Sequence, residues 1–199
     1  MNDLTITFKH PFKNKTITAT LKEGEITVLI GRNGYGKTSF IQGLKDYIEE
    51  KDYLYVHWCD NDYGRDQGRQ MLLTNGNMEE LAGMSFRSEG ETLLSSLAHF
   101  FIRKAGNLTT KAKENDTIFL LLDQADSGLD VHQINEIKNI LKEVIIEHMH
   151  TIGLKVYIVT SANSYEMAEG ETCMNPRTGK QHKFRNFTTY KNYINRQYK

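Results

Sequence analysis

The sequence predicts an α/β protein built on a mixed, mainly parallel sheet. Strand-like and helix-like segments alternate from residue 25 onward, the order that parallel sheets with covering helices require. Two apolar runs, 25–30 and 117–122, end respectively on a glycine-rich loop and on an aspartate. A strong helical period over residues 133–149 separates the second run from another apolar strand at 156–160. At 199 residues the chain can bury a substantial core, and one domain over 1–199 is expected.

Residues 4–8, 16–20 and 25–30 read as short strands between polar turns, and the first two are expected to form the antiparallel edge of the mixed sheet. Beyond the glycine loop, Phe40, Ile41, Leu44, Tyr47 and Ile48 recur at helical spacing. Residues 53–58 return to strand composition, and 59–85 lack a period apart from a small helix expected at 78–81. Leu93, Leu94, Leu97, Ala98 and Phe101 form a second apolar helical face, followed by a polar connector at 105–116. In the 133–149 helix the buried face is expected to carry Ile134, Ile137, Leu141, Val144, Ile145 and Met149. The end of the chain, 170–199, predicts a terminal hairpin with a docking helix: a strand at 172–174, a turn at 175–179, a strand at 182–185 and a helix near 190–196.

Composition narrows the class of protein. Lysine and arginine number 25 and aspartate and glutamate 25, so net charge gives no argument for steering toward DNA. Cys59 and Cys173 are too few for a disulfide scaffold and suit a reducing compartment. No apolar run approaches the ~20 residues of a membrane span, and the first residues do not read as a secretion signal, so the expectation is a cytoplasmic protein without direct membrane insertion. His57, His148, His150 and His182 lack compact metal-ligand spacing.

The chemistry begins at Gly31, Arg32, Asn33, Gly34, Tyr35, Gly36, Lys37 and Thr38, which fit the complete eight-residue P-loop pattern between a strand and a helix. Glycines there let backbone N–H groups wrap phosphate oxygens, and the helix N-terminus adds favourable potential. Lys37 is expected to neutralise the β- and γ-phosphates of ATP, and Thr38 to place its hydroxyl on Mg²⁺. At 117–123 an apolar strand delivers Asp123 to the sheet edge, where such a carboxylate organises the Mg²⁺. These features predict a P-loop nucleoside triphosphate hydrolase fold, with ATP and Mg as the expected cofactors.

Asp123, Gln124, Ala125, Asp126, Ser127, Gly128, Leu129 and Asp130, preceded by Leu121 and Leu122, resemble the magnesium strand and dimer loop of ATP-binding cassette proteins. Ser88, Glu89, Gly90 and Glu91 resemble that family's signature, in the form used by small stand-alone cassettes and by the heads of chromosome-maintenance and DNA-repair ATPases. The resemblance covers roughly residues 23–165. It implies a homodimer sandwiching two ATP molecules, in which Ser88 and the Gly90 amide meet the opposing γ-phosphate and Ser127, Leu129 and Asp130 reach across. Ser88 and Glu91 also fit an N-terminal capping box. A metal-sensing glutamine is implied in the intervening loop, at Gln70 or Gln67, with Gln70 preferred. An additional protein partner fits the same family; DNA binding does not follow from P-loop chemistry and net charge does not support it, and Lys180, Lys183 and Arg185 read either as a local basic patch or as a solvent-facing tail. The short stretch between Thr38 and Ser88 departs from transporter cassettes, which carry a larger helical subdomain; here that subdomain is reduced.

The family places a glutamate after the magnesium aspartate; this chain has Gln124. An amide orients water but accepts no proton, so the sequence predicts ATP binding with slow or absent hydrolysis. A natural nucleotide switch and an engineered glutamate-to-glutamine replacement both fit that residue; the expected function is a nucleotide-gated dimeric ATPase or regulatory head, with a non-hydrolytic ATP-dependent interaction module as the alternative and a transporter cassette after it. Where the family often has a histidine near the γ-phosphate, Ser161 stands, able to bind phosphate or to cap the following helix.

Overall fold

A six-stranded sheet in the order β4-β5-β6-β3-β7-β8 organises the structure, a computed structural model that describes residues 3–10, 15–59, 100, 107 and 109–198. The helix expected at 78–81 and the whole apolar face of Leu93, Leu94, Leu97, Ala98 and Phe101 lie outside the described residues. Strands β3 (Ile26–Leu29), β4 (Leu54–Cys59), β5 (Thr117–Asp123), β6 (Lys155–Ser161) and β7 (Thr172–Met174) run parallel, and β8 (Gln181–His182) closes the edge antiparallel to β7. The fold class is therefore α/β with a mixed, mainly parallel sheet.

The opening strands correct one expectation. β1 (Asp3–Lys9) and β2 (Thr16–Lys22) pair with each other as a separate two-stranded sheet, so the antiparallel edge of the main sheet is β8 instead. Their alternation explains the placement. Ile6, Phe8, Ile17, Ala19 and Leu21 are buried together, whereas Thr5 faces Thr20 and Thr7 faces Thr18 on the outer side.

β5 reads as an unbroken apolar run because both of its faces are covered. Ile118, Leu120 and Leu122 enter one core with Ile134, Ile137 and Leu141. Phe119 and Leu121 enter the other with Phe40, Ile41 and Leu44 of α1 (Lys37–Glu50) and with the β1–β2 pair.

The long helix after β5 comprises α2 (Val131–Asn139), a π-helical segment (Ile140–Ile146) and α3 (Glu147–Thr151). Here the predicted face needs correction: Val144 is 59% exposed, while Ile146 is buried beside Ile145. The buried positions Ile137, Leu141, Ile145 and Met149 recur every fourth residue, which matches the wider i→i+5 turns of a π segment and rotates Val144 outward.

A short α4 (Tyr165–Ala168) leads into β7, and after β8 comes α5 (Phe187–Asn195), followed by a 3₁₀ turn at Arg196–Tyr198. The hairpin and docking helix thus form, with a shorter second strand than 182–185 and a helix that starts earlier than 190. Asn186 sets that start, because its side chain accepts from Thr189 N–H at 3.0 Å in a reciprocal capping box.

Candidate functional site

The C-terminal ends of β3, β5 and β6 share one edge of the sheet, the side on which open α/β sheets bind ligands. The loop leaving β3 carries Gly31, Arg32, Asn33, Gly34, Tyr35 and Gly36 into α1, whose first two residues are Lys37 and Thr38. Gly36 is the helix N-cap at φ 98°, in the left-handed region that a side chain disfavours, and no side chain caps the helix there. The first-turn amides of a 14-residue helix are therefore left to an incoming acceptor. Lys37 is buried, and its Nζ donates to Gly31 O at 2.6 Å and to Arg32 O at 3.4 Å. Burial pulls this ammonium below its ordinary range, and Asp126 and then Asp123 draw it partly back up. Thr38 is exposed on the same turn.

Asp123, Gln124 and Ser161 meet in a relay. Ser161 Oγ donates to Asp123 Oδ1 at 2.5 Å and accepts from Gln124 N–H at 2.8 Å. Ser161 ends β6, which lies between β5 and β3, so its hydroxyl ties the mouth of β5 to β6. Gln124 takes φ 60°, a left-handed conformation uncommon outside glycine, and its amide is the group that Ser161 holds. The capping role open to Ser161 belongs to Ser164, whose side chain accepts from Met167 N–H at the start of α4.

Asp126 is a site residue the sequence reading passed over. Its Oδ2 accepts from Asn163 N–H at 2.8 Å, Ser164 N–H at 2.7 Å and Ser164 Oγ at 2.6 Å. Its Oδ1 is buried with no hydrogen-bond partner among the described residues. The available signal was a second carboxylate three positions after Asp123, at the mouth of the same apolar strand. Further along, Asp130 accepts from Gln133 N–H at 2.9 Å and caps α2, while Ser127 and Leu129 are partly exposed. Gln67, Gln70, Ser88, Glu89, Gly90 and Glu91 lie outside the described residues.

The end of the chain also reaches the loop. Arg32 N–H donates to Gln197 Oε1 at 3.1 Å, 165 residues away, and the Arg32 guanidinium sits 4.9 Å from the Tyr198 ring centroid. Arg177 in the hairpin turn donates through Nε to Tyr35 O at 3.1 Å and lies 4.0 Å from the Tyr35 ring centroid. No local pattern in the sequence encodes such distant contacts.

A glycine loop that delivers a buried lysine into a helix, beside an aspartate from a parallel strand of the same sheet, defines the class as an α/β P-loop fold. Within that class the chain has the fold of an ATP-binding cassette. An ATP-binding cassette of an ABC transporter in its ADP conformation matches with a TM-score of 0.54 at 12% identity, covering 98% of this chain and 96% of that one. A nucleotide-free ATP-binding cassette from an ABC transporter gives 0.49 at 10% identity over 97% and 96% of the two chains. An ATP-binding subunit of an ABC transporter gives 0.40 at 16% identity over 98% and 93%. The likeness is one of fold: no family model matches the sequence, and no curated protein matches it either.

Proposed function

We propose that this chain is a Mg-ATP-binding, nucleotide-gated regulatory head of the ATP-binding cassette type, slow or inactive in hydrolysis. The observation that carries the reading is the buried Lys37 ammonium at the uncapped start of α1, facing Asp126 and Asp123. A cation held by loop carbonyls is ready to exchange them for phosphate oxygens, and the α1 amides supply further donors. Thr38 and Asp123 would hold Mg²⁺, which when bound neutralises phosphate charge. The buried, unpartnered Asp126 Oδ1 suits the same polar ligand environment.

Gln124 favours binding over turnover. Its side-chain amide can orient a water beside Asp123 but takes no proton from it. A purely non-hydrolytic interaction module, in which ATP joins two protomers, is supported by that same residue. Homodimerisation around two nucleotides, with Ser88 and Gly90 opposite the γ-phosphate and Gln70 near the metal, rests on the sequence resemblance.

Calorimetry with Mg-ATP tests the core of this reading. The parent chain should bind, and Lys37→Ala should weaken binding at least tenfold while the circular dichroism of the fold is kept. Equal affinity for both proteins would refute the assignment of Lys37.

A further inference from the structure

The last 28 residues hold seven of the chain's 25 lysines and arginines and none of its 25 aspartates and glutamates. Neutral net charge therefore conceals a basic end, residues 172–199, on a chain whose remainder is acidic. Lys180, Lys183, Arg185, Lys191 and Arg196 are exposed and make no ion pair among the described residues. The same segment is rich in aromatics, and most of these have structural work. Phe184 packs against Tyr190 and Tyr193, His182 against Tyr193, and Tyr165 against Tyr190, which fixes α5 on the hairpin.

Two aromatics keep much of their surface exposed, Phe187 although its ring meets Tyr165 edge to face at 5.7 Å. Phe187 is 53% and Tyr198 65% exposed, and both line one cleft of about 510 Å³ between the P-loop and α5. Lys191 and Arg32 line it too, each stationed over one of those rings, at 6.0 Å from Phe187 and 4.9 Å from Tyr198. Exposed ring faces beside unpaired cations, next to a segment free of carboxylates, match a ligand made of flat units with apolar faces that is polyanionic along its length. A duplex hides its base faces, so the chemistry selects an unpaired strand.

We propose that this cleft binds single-stranded nucleic acid, with unpaired bases stacked on Phe187 and Tyr198 and backbone phosphates on Lys191, which lines it, and on Arg196, exposed on the turn that follows α5. The cleft adjoins the candidate nucleotide site, since Gly31, Arg32 and Asn33 line it, but the four residues proposed to hold the strand lie outside the P-loop. Contacts from Gln197 and Tyr198 to Arg32 would let an occupied cleft be felt at the loop.

The test is fluorescence anisotropy of the full chain with a labelled oligothymidylate of about 15 nucleotides, near the upper span of one such site, without ATP. Roughly micromolar affinity at low salt is expected, weakening steeply as salt rises. Phe187→Ala combined with Tyr198→Ala should weaken binding at least tenfold, and Phe187→Leu with Tyr198→Leu should do the same while keeping apolar bulk. Lys191→Gln should reduce the salt slope by about one. Lys37→Ala should bind the oligonucleotide as the parent does; loss of binding in that variant would place the strand on the P-loop and overturn the proposal. Equal affinity for duplex DNA, equal competition by polyglutamate, or full binding by both aromatic double variants would each do so as well.

Discussion

Ser161 shows how much a single hydroxyl can decide. It has no exposed surface, and its one oxygen serves both Asp123 Oδ1 and the Gln124 amide. Removing it leaves a buried carboxylate oxygen and a part-buried N–H each short of a partner, a loss of about 1–3 kcal/mol. Ser161→Ala should therefore lower the urea unfolding midpoint by a corresponding amount, and an unchanged midpoint would show the relay to be of no consequence for stability. The neighbouring Gln124→Glu exchange addresses chemistry: a carboxylate at that position can accept the proton that the amide cannot. Phosphate release at saturating Mg-ATP should rise above the parent's, and no rise would locate the limit at another residue such as Ser161. Asp123 could be placed at the end of β5 from sequence because an apolar strand ending in a carboxylate is a local pattern, whereas Gln124 stood out only through the family resemblance. The bond from Ser161 was not legible, because its partner comes from a strand 38 residues away in sequence.

At the scale of elements, the β7–β8 hairpin is held by its turn. Gly179 has φ 70°, and a Cβ there would fall 2.1 Å from Thr18 O of β2, a backbone atom that has no rotamer to escape into. Nearby, Gln181 Nε2 donates to Thr20 O at 2.8 Å, so the hairpin is docked against the edge of the opening sheet. Gly179→Ala combines left-handed strain with that overlap and should destabilise the chain by about 2 kcal/mol or more. Its thermal midpoint would fall, and parent-like melting would mean that the hairpin can shift away from β2 freely. Period and alternation made most of these elements readable before the structure: β1 and β2 alternate cleanly, and β5 is apolar throughout. What pattern alone left open is partnership. Nothing within residues 4–20 says that β1 and β2 pair apart from the main sheet, and nothing in the spacing of Ile137, Leu141 and Ile145 announces a π segment that turns Val144 to solvent.

For the molecule as a whole, the candidate nucleotide site spans one edge of the sheet, drawing Lys37 from the end of β3, Asp123 from β5 and Ser161 from β6, with helical cores packed on both faces. A ligand bound there touches the strands that the global core is built on, so it should stabilise the entire fold. Mg-ATP at about a hundredfold excess over its Kd adds ~2.7 kcal/mol to the folded state. For a chain of this length that corresponds to roughly 5–10 °C in Tm, and Lys37→Ala should show little of it. The proposed homodimer adds a separate signature, because association also draws the equilibrium toward the folded state and makes Tm depend on protein concentration. Melting the parent over a hundredfold range of protein concentration in Mg-ATP should show Tm climbing with concentration, and in Mg-ADP or without nucleotide it should stay flat. Ser88→Arg should retain the ligand-induced shift at low concentration, since the P-loop is untouched, yet lose the climb, since the long side chain would obstruct a phosphate held by the other protomer. If Ser88→Arg climbs as the parent does, Ser88 has no place at a nucleotide-gated interface. If the parent itself stays flat in Mg-ATP at every concentration, the chain binds nucleotide as a monomer and the head-to-tail dimer falls.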